Sequence, residues 1–203
     1  MGDSEHRTRV PFMVRVPGGK HQVVEDPVEL ISVMNTAIEL ATGQVPASDL
    51  NDGVSYADVV LGKAATPTPP QGFTEPLAFS TYPRCFNSPN PVQNPCIEVI
   101  NTNFSHMGLT VRSRNFRYTE WRLWNGADCT PRFDTSPAEV LLFDHTSDPG
   151  TTFDGAWEQM NVVSDAQYES VVKQHSAWVK QQWNTGITTG CGHSDAPFTG
   201  TNE

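Results

Sequence analysis

The chain has 203 residues, and its 13 Lys and Arg against 23 Asp and Glu leave a net charge of −10. That balance repels the phosphate backbone that dominates nucleic-acid affinity, so no nucleic-acid partner is expected. The longest largely apolar stretch, residues 10–16, is broken by Pro11 and Arg15 and falls far short of the roughly 20 residues of a spanning helix, so no membrane span is expected either.

Sixteen Pro and fifteen Gly mark a loop-rich globular chain. Charge is uneven: residues 1–62 sum to −5, 63–103 to zero, 104–124 to +3 and 125–203 to −8. The Pro- and Thr-rich segment at 65–72 lies in the neutral stretch and has the composition of a semi-extended crossing, which places a division near residue 70.

Before that division, residues 10–16 are apolar on both alternating faces and stop at Pro17-Gly18-Gly19, the pattern of a strand covered on both sides. Asp26 then suits a helix N-cap, with Pro27 at the first helical position and Glu29 completing a capping box. Leu30, Ile31, Met34, Ala37, Ile38 and Ala41 fall on one helical stripe, and Gly43 can end it in the left-handed conformation. A doubly covered strand needs neighbours that this half does not offer. Residues 1–70 are therefore expected to be the tail of a larger α/β sheet domain.

The second half, residues 71–183, reads as α+β. Strands are expected at 77–82, 108–113, 116–123 and 139–143, the middle two joined through Arg114-Asn115, a pair suited to a hairpin turn. Ser164 and Gln167 form a capping box ahead of a helix. Its Tyr168, Val171, Val172, His175, Trp178, Val179 and Gln182 share a face, leaving Lys173 and Lys180 toward water. The expected unit is a four-stranded antiparallel sheet under one C-terminal helix, with residues 184–203 a loosely held tail.

Four cysteines stand at 85, 96, 129 and 191 without metal-knuckle spacing. A Cys85–Cys96 disulfide would close a ten-residue, proline-rich loop and contribute about 2 to 3 kcal/mol. The partners of Cys129 and Cys191 stay open. Asn103 begins a glycosylation sequon that fits the same oxidising compartment, lysosomal or secreted.

Several clusters invite chemistry. Arg112, Arg114 and Arg117, with Arg122, concentrate on the hairpin and could meet a sulfate or carboxylate, although pairing with the acidic last third is the plainer reading. Asp144, His145 and Asp148 bring two carboxylates and an imidazole within five residues, but Asp148-Pro149-Gly150 is also turn chemistry and Asp144 can cap a turn. His175 lies on the apolar stripe of the last helix, as a hydrogen-bonded core histidine does. Cys129-Thr130-Pro131-Arg132 approaches the site at which sulfatases form formylglycine. Its arginine stands at +3 instead of +4, and Cys129 reads as a loop cysteine.

Three stretches together resemble one family. Thr8-Arg9-Val10-Pro11 leading through Val16-Pro17-Gly18 to Val28-Glu29-Leu30 looks like the late strand and helix of sulfatases. Phe79-Ser80-Thr81-Tyr82-Pro83-Arg84, Met107-Gly108-Leu109-Thr110-Val111-Arg112 and Phe116-Arg117-Tyr118-Thr119-Glu120-Trp121 resemble the C-terminal subdomain of iduronate-2-sulfatase-type enzymes. Leu142-Phe143-Asp144, Asp148-Pro149 and residues 168–178 fit its last strand, turn and closing helix.

The resemblance implies an alkaline-phosphatase-like fold and hydrolysis of sulfate esters on glycosaminoglycan-type sugars. It also implies formylglycine and calcium in the complete enzyme, and a sulfated carbohydrate as substrate. None of the family's nucleophile or metal motifs is present, so no catalytic or metal residue is assigned and this chain by itself is expected to be inactive. The alternative from another class is a stand-alone module binding an acidic glycan or a protein partner through the hairpin arginines.

Overall fold

A computed structural model describes residues 8–19, 21–47, 52–84, 104–148 and 155–186. Cys85, Cys96, Asn103 and Cys191 lie outside these residues, so the disulfide and sequon expected there are not described. The element order is a 3-10 turn Leu30–Ser32 running into helix α1 (Val33–Thr42), then α2 (Ala57–Val60). Strands β1 (Ala78–Arg84), β2 (His106–Arg112), β3 (Phe116–Asn125), β4 (Thr130–Pro131) and β5 (Glu139–Asp144) follow, and helix α3 (Glu169–Gly186) is the last element among the described residues.

The sheet is antiparallel throughout. β2 pairs with β1 on one side and β3 on the other, and β3 pairs with β5 along its first half and with the two-residue β4 at its end. The four main strands are those expected, shifted by a residue or two at their ends. At the β2–β3 turn, the Ser113 N–H bonds the Phe116 carbonyl at 2.9 Å, and neither Arg114 nor Asn115 has a positive φ. The expected tight hairpin turn is thus formed, without the left-handed residues of a primed turn. The Arg112 guanidinium holds the turn instead, reaching the carbonyls of Ser113, Arg114 and Phe116.

Alternation divides the sheet into two buried faces. Met107, Leu109, Val111, Tyr118 and Leu142 form the core with Leu77 and Val179, and Tyr168 just before α3 packs against it with Val171, Val172, Trp178 and Trp183 of the helix. Lys173 and Lys180 face water, as the helical period predicts. The opposite face carries Arg117, Thr119 and Trp121, all buried, with Thr110 and Thr119 sharing a hydrogen bond of 2.8 Å. Gly108 pairs with Trp121 across the ladder, and a Cβ at residue 108 would stand only 2.8 Å from the indole.

Both outer edges are capped by side chains. The Phe79 N–H on β1 donates to Glu29 Oε1 at 2.8 Å, and Pro83 has no N–H to offer. On β5, the Asn161 amide accepts from the Leu142 N–H at 2.9 Å and donates to the Val140 carbonyl at 3.1 Å.

Two helix starts differ from expectation. Asp26 does not cap α1: the helical turn begins at Leu30, after Glu29, whose carboxylate bonds β1 and whose N–H donates to Tyr56 Oη at 3.2 Å. A tertiary partner wins over the local cap. Burial pushes the Glu29 carboxyl up, with the Phe79 N–H working against that. Ser164 likewise caps nothing; Asp165 precedes the 3-10 turn at Ala166–Tyr168, and Gln167 donates to its carboxylate at 3.2 Å. The C-terminal expectation for α1 holds: Gly43 has φ 74° and donates to the Glu39 carbonyl at 2.8 Å.

The apolar stripe of α1 faces outward. Leu30 is 57% exposed, and Ile31, Val33 and Met34 are exposed with it. The polar residues between them face inward. Ser32 Oγ accepts from the Val54 N–H at 3.1 Å, Thr36 Oγ1 accepts from the Tyr56 N–H at 2.9 Å, and Asn35 donates to the Gly53 carbonyl. Residues 10–16 pair with no strand among the described residues; Phe12 and Val14 are exposed and Met13 is 89% so.

The Gly108–Trp121 contact yields a direct prediction. Gly108→Ala forces the indole off its site and is expected to cost about 1 to 3 kcal/mol, read as a lower urea midpoint. An unchanged midpoint would mean that Trp121 has free room to move.

Candidate functional site

The hairpin arginines do not form an open anion cradle. Arg114 pairs with Glu25 and stands 3.5 Å from Asp26, Arg112 is turned onto the turn carbonyls, and Arg117 is buried. All three guanidiniums bond within the chain.

Arg117 sits on the face of β3 opposite α3, and its Nε lies 2.5 Å from Glu158 Oε1 while Nη2 donates to Thr8 Oγ1 at 2.9 Å. His145, one residue beyond β5, joins the same cluster. Its Nδ1 is 3.1 Å from Asp148 Oδ2, which requires the proton on Nδ1, and its Nε2 is 3.7 Å from Glu158 Oε1. Arg9 approaches Asp148 at 3.9 Å. Two guanidiniums therefore meet two carboxylates around a buried imidazole, a charge balance that low dielectric demands. The expected Asp144–His145–Asp148 group is only partly realised, because Asp144 points elsewhere. Its Oδ1 accepts from the Thr146 N–H at 2.8 Å and its Oδ2 from Tyr168 Oη at 2.6 Å. Burial pushes the Asp144 carboxyl up, and these hydrogen bonds outweigh it and hold the group below its ordinary value. Glu158 went unnoticed in the sequence; no local pattern marks a residue whose partners lie at 117 and 145.

A second buried group lies under α3. Glu120 Oε2 takes Nε and Nη2 of Arg122, each at 2.5 Å, and its Oε1 accepts from Tyr118 Oη at 2.7 Å and from Ser176. Burial, then the adjacent Glu120, pushes the Tyr118 phenol well up.

Ser113 and His175 have the spacing of a nucleophile and base, Oγ to Nε2 3.0 Å. Their surroundings argue otherwise. The Val171 carbonyl, 2.8 Å from Nδ1, fixes a proton there, but a neutral carbonyl does not stabilise imidazolium as a carboxylate does. Burial drives the His175 pKa down to about 4, with the Val171 hydrogen bond opposing and Arg112 adding to the fall. His175 is a satisfied neutral core residue, as its place on the apolar stripe suggests.

Cys129 is disulfide-bonded, with its partner outside the described residues, and has φ 52°. A half-cystine cannot serve as a formylglycine precursor. Its turn borders an open groove of about 530 Å³ whose walls include Trp124, Asp128, Arg132 and Asp134, the last two joined at 2.7 Å. Among the described residues no group of three or more His, Cys, Asp or Glu could hold a metal ion.

No family model matches the chain, and neither does any curated protein. Solved structures do. A protein of Bacteroides thetaiotaomicron assigned to the sulfatases aligns at 21% identity and TM-score 0.47, covering 82% of this chain and 27% of its own. A protein solved with its substrate D-glucosamine-2-N,6-O-disulfate gives 16% identity and TM-score 0.45, covering 75% and 23%. A 2-O glycosaminoglycan sulfatase gives 19% and 0.43, covering 78% and 26%. The chain spans about a quarter of the length of each of these structures.

Two measurements check the buried groups. Glu158→Gln strands Arg117 and is expected to cost about 3 to 5 kcal/mol, whereas Arg117→Met with Glu158→Leu recovers most of that loss in urea unfolding. His175 has a folded pKa near 4 against an ordinary 6.5, so the unfolded chain binds the proton first on acidification. Its contribution is fully present above pH 6.5 and is lost as pH falls toward 4, with a slope of about 1.4 kcal/mol per pH unit. His175→Gln should remove that part of the stability profile; a profile identical to that of the parent would refute the assignment.

Proposed function

We propose that this chain is the C-terminal portion of an iduronate-2-sulfatase-like sulfatase, an enzyme hydrolysing sulfate esters on glycosaminoglycan-type sugars. In this reading the chain frames the reaction without performing it. The formylglycine nucleophile and calcium act from another part of the enzyme, and no step runs through the residues described here. The carrying observation is the outward apolar surface of residues 10–45. The segment that resembles the sulfatase core strand and helix turns Phe12, Val14, Leu30, Ile31 and Met34 to solvent. Its polar side is satisfied against residues 53–56.

Further support comes from the β1, β2 and β3 motifs, which form one small antiparallel sheet, as the resemblance implies. The Cys129 disulfide supports a lysosomal or secreted setting. The alternative, an acidic-glycan module built on the hairpin arginines, draws no support from guanidiniums already engaged by Glu25, Glu158 and backbone carbonyls.

The test begins with transcripts read through the Met1 codon. An in-frame upstream segment carrying a formylglycine motif and metal carboxylates is expected. The complete product should release sulfate from a 2-O-sulfated iduronate disaccharide, and the 203-residue chain should release none. Turnover by the chain alone, or transcripts with a stop codon directly upstream, would overturn the reading.

A further inference from the structure

Glu75 has no hydrogen-bond or ion-pair partner among the described residues. Its carboxylate is half-buried, so it has lost part of its hydration while staying open to a ligand from water. Glu75 lies on the wall of a cleft of about 150 Å³ between the hairpin tip at 113–116 and one side of α3, where Val171, Gln174 and Trp178 face it. The floor is the Ser113–His175 pair, whose polar atoms satisfy each other. The cleft's own cation, Arg114, is matched by two carboxylates, Glu25 and Asp26. The other nearby guanidinium, Arg112, bonds the turn carbonyls. The negative charge of Glu75 is thus matched by no cation among the described residues and is open to a ligand.

The remaining walls select what that is. Trp178 and Phe116 present aromatic surface, which favours both an alkyl stem and a cation over a ring face. The volume equals roughly five water molecules, enough for a short chain ending in a charged group and too small for a sugar ring with its substituents. We propose that this cleft binds a primary alkylammonium group, free or at the end of a lysine side chain, with the ammonium on Glu75 and the stem along Trp178 and Phe116. Burial already pushes the Glu75 carboxyl up, and a bound cation reverses that shift, so binding strengthens as pH rises through the carboxylate range. Because the site is built from residues 75, 113–116 and 171–178 alone, it stands apart from the sulfatase reading.

The experiment follows the indole N–H signal of Trp178 in the full chain, assigned with Trp178→Phe. The titrants are n-butylammonium chloride and the lysine analogue Nα-acetyl-lysine methylamide. Saturable shifts with a Kd on the order of 1 to 10 mM are expected, the range open to so small a ligand. Saturation by both amines supports the site; saturation by the lysine derivative alone supports it and assigns the source to a polypeptide. Glu75→Gln, which breaks no internal contact and should not lower the thermal midpoint, is expected to weaken binding about 10-fold or more. Glu75→Lys supplies its own ammonium and should abolish it. Equal shifts with Nα-acetyl-norleucine methylamide, unchanged affinity in Glu75→Gln, or no saturation at all would overturn the proposal.

Discussion

Strand β3 carries charge into both sides of the interior, and the rest of the subdomain is arranged to neutralise it. Arg117 points to one face and Glu120 with Arg122 to the other, all buried. Desolvating an ion of this size without a counter-charge would cost several kcal/mol, comparable to the whole stability of a domain. On one face the answer is local: Glu120 is bonded by Arg122 two residues away and by Tyr118 and Ser176. On the other it is distant. Glu158 arrives from the 3-10 turn at Gly155–Glu158, His145 from the end of β5, and Thr8 from the start of the described chain. The positions of those segments follow from where Arg117 lies.

The N-terminal half obeys the opposite logic. In α1 the inward side is polar and every inward group finds a backbone partner in residues 53–56, while the apolar side faces water. A helical segment that satisfies its hydroxyls and amides and exposes Leu30, Ile31 and Met34 fits the larger layered domain proposed above. The same holds for residues 10–16, apolar on both alternating faces and unpaired among the described residues. The two segments make one continuous argument about layering, because each shows the apolar side that a sandwich would cover.

The sheet and α3 could be read from period alone, since alternation at 106–125 and the 3.6-residue stripe at 168–182 are strong patterns and tertiary packing agreed with them. Gly43 was equally readable, because few residues tolerate a left-handed φ. The two capping boxes failed for a different reason. Glu29 had a better use, 50 residues away on Phe79, and Ser164 was bypassed in favour of Asp165. The stripe of α1 was recognised as apolar, yet periodicity says which residues share a side and not what lies against it. Among the functional candidates, His175 behaved as its position implied. The Arg117–Glu158 and Glu120–Ser176 pairings join residues 41 and 56 positions apart with no motif between them, and only the folded topology brings them together.

The edges of the sheet set how this molecule can associate. An amide from Asn161 occupies the backbone of β5, while Glu29 and the ring of Pro83 leave β1 few donors to share. A visiting strand meets groups already engaged on β5 and a reduced set of donors on β1, which disfavours lateral growth at the backbone level. Association face to face, through side chains, is favoured over it, and its specificity then rests on shape and burial, which a generic main-chain template would not provide.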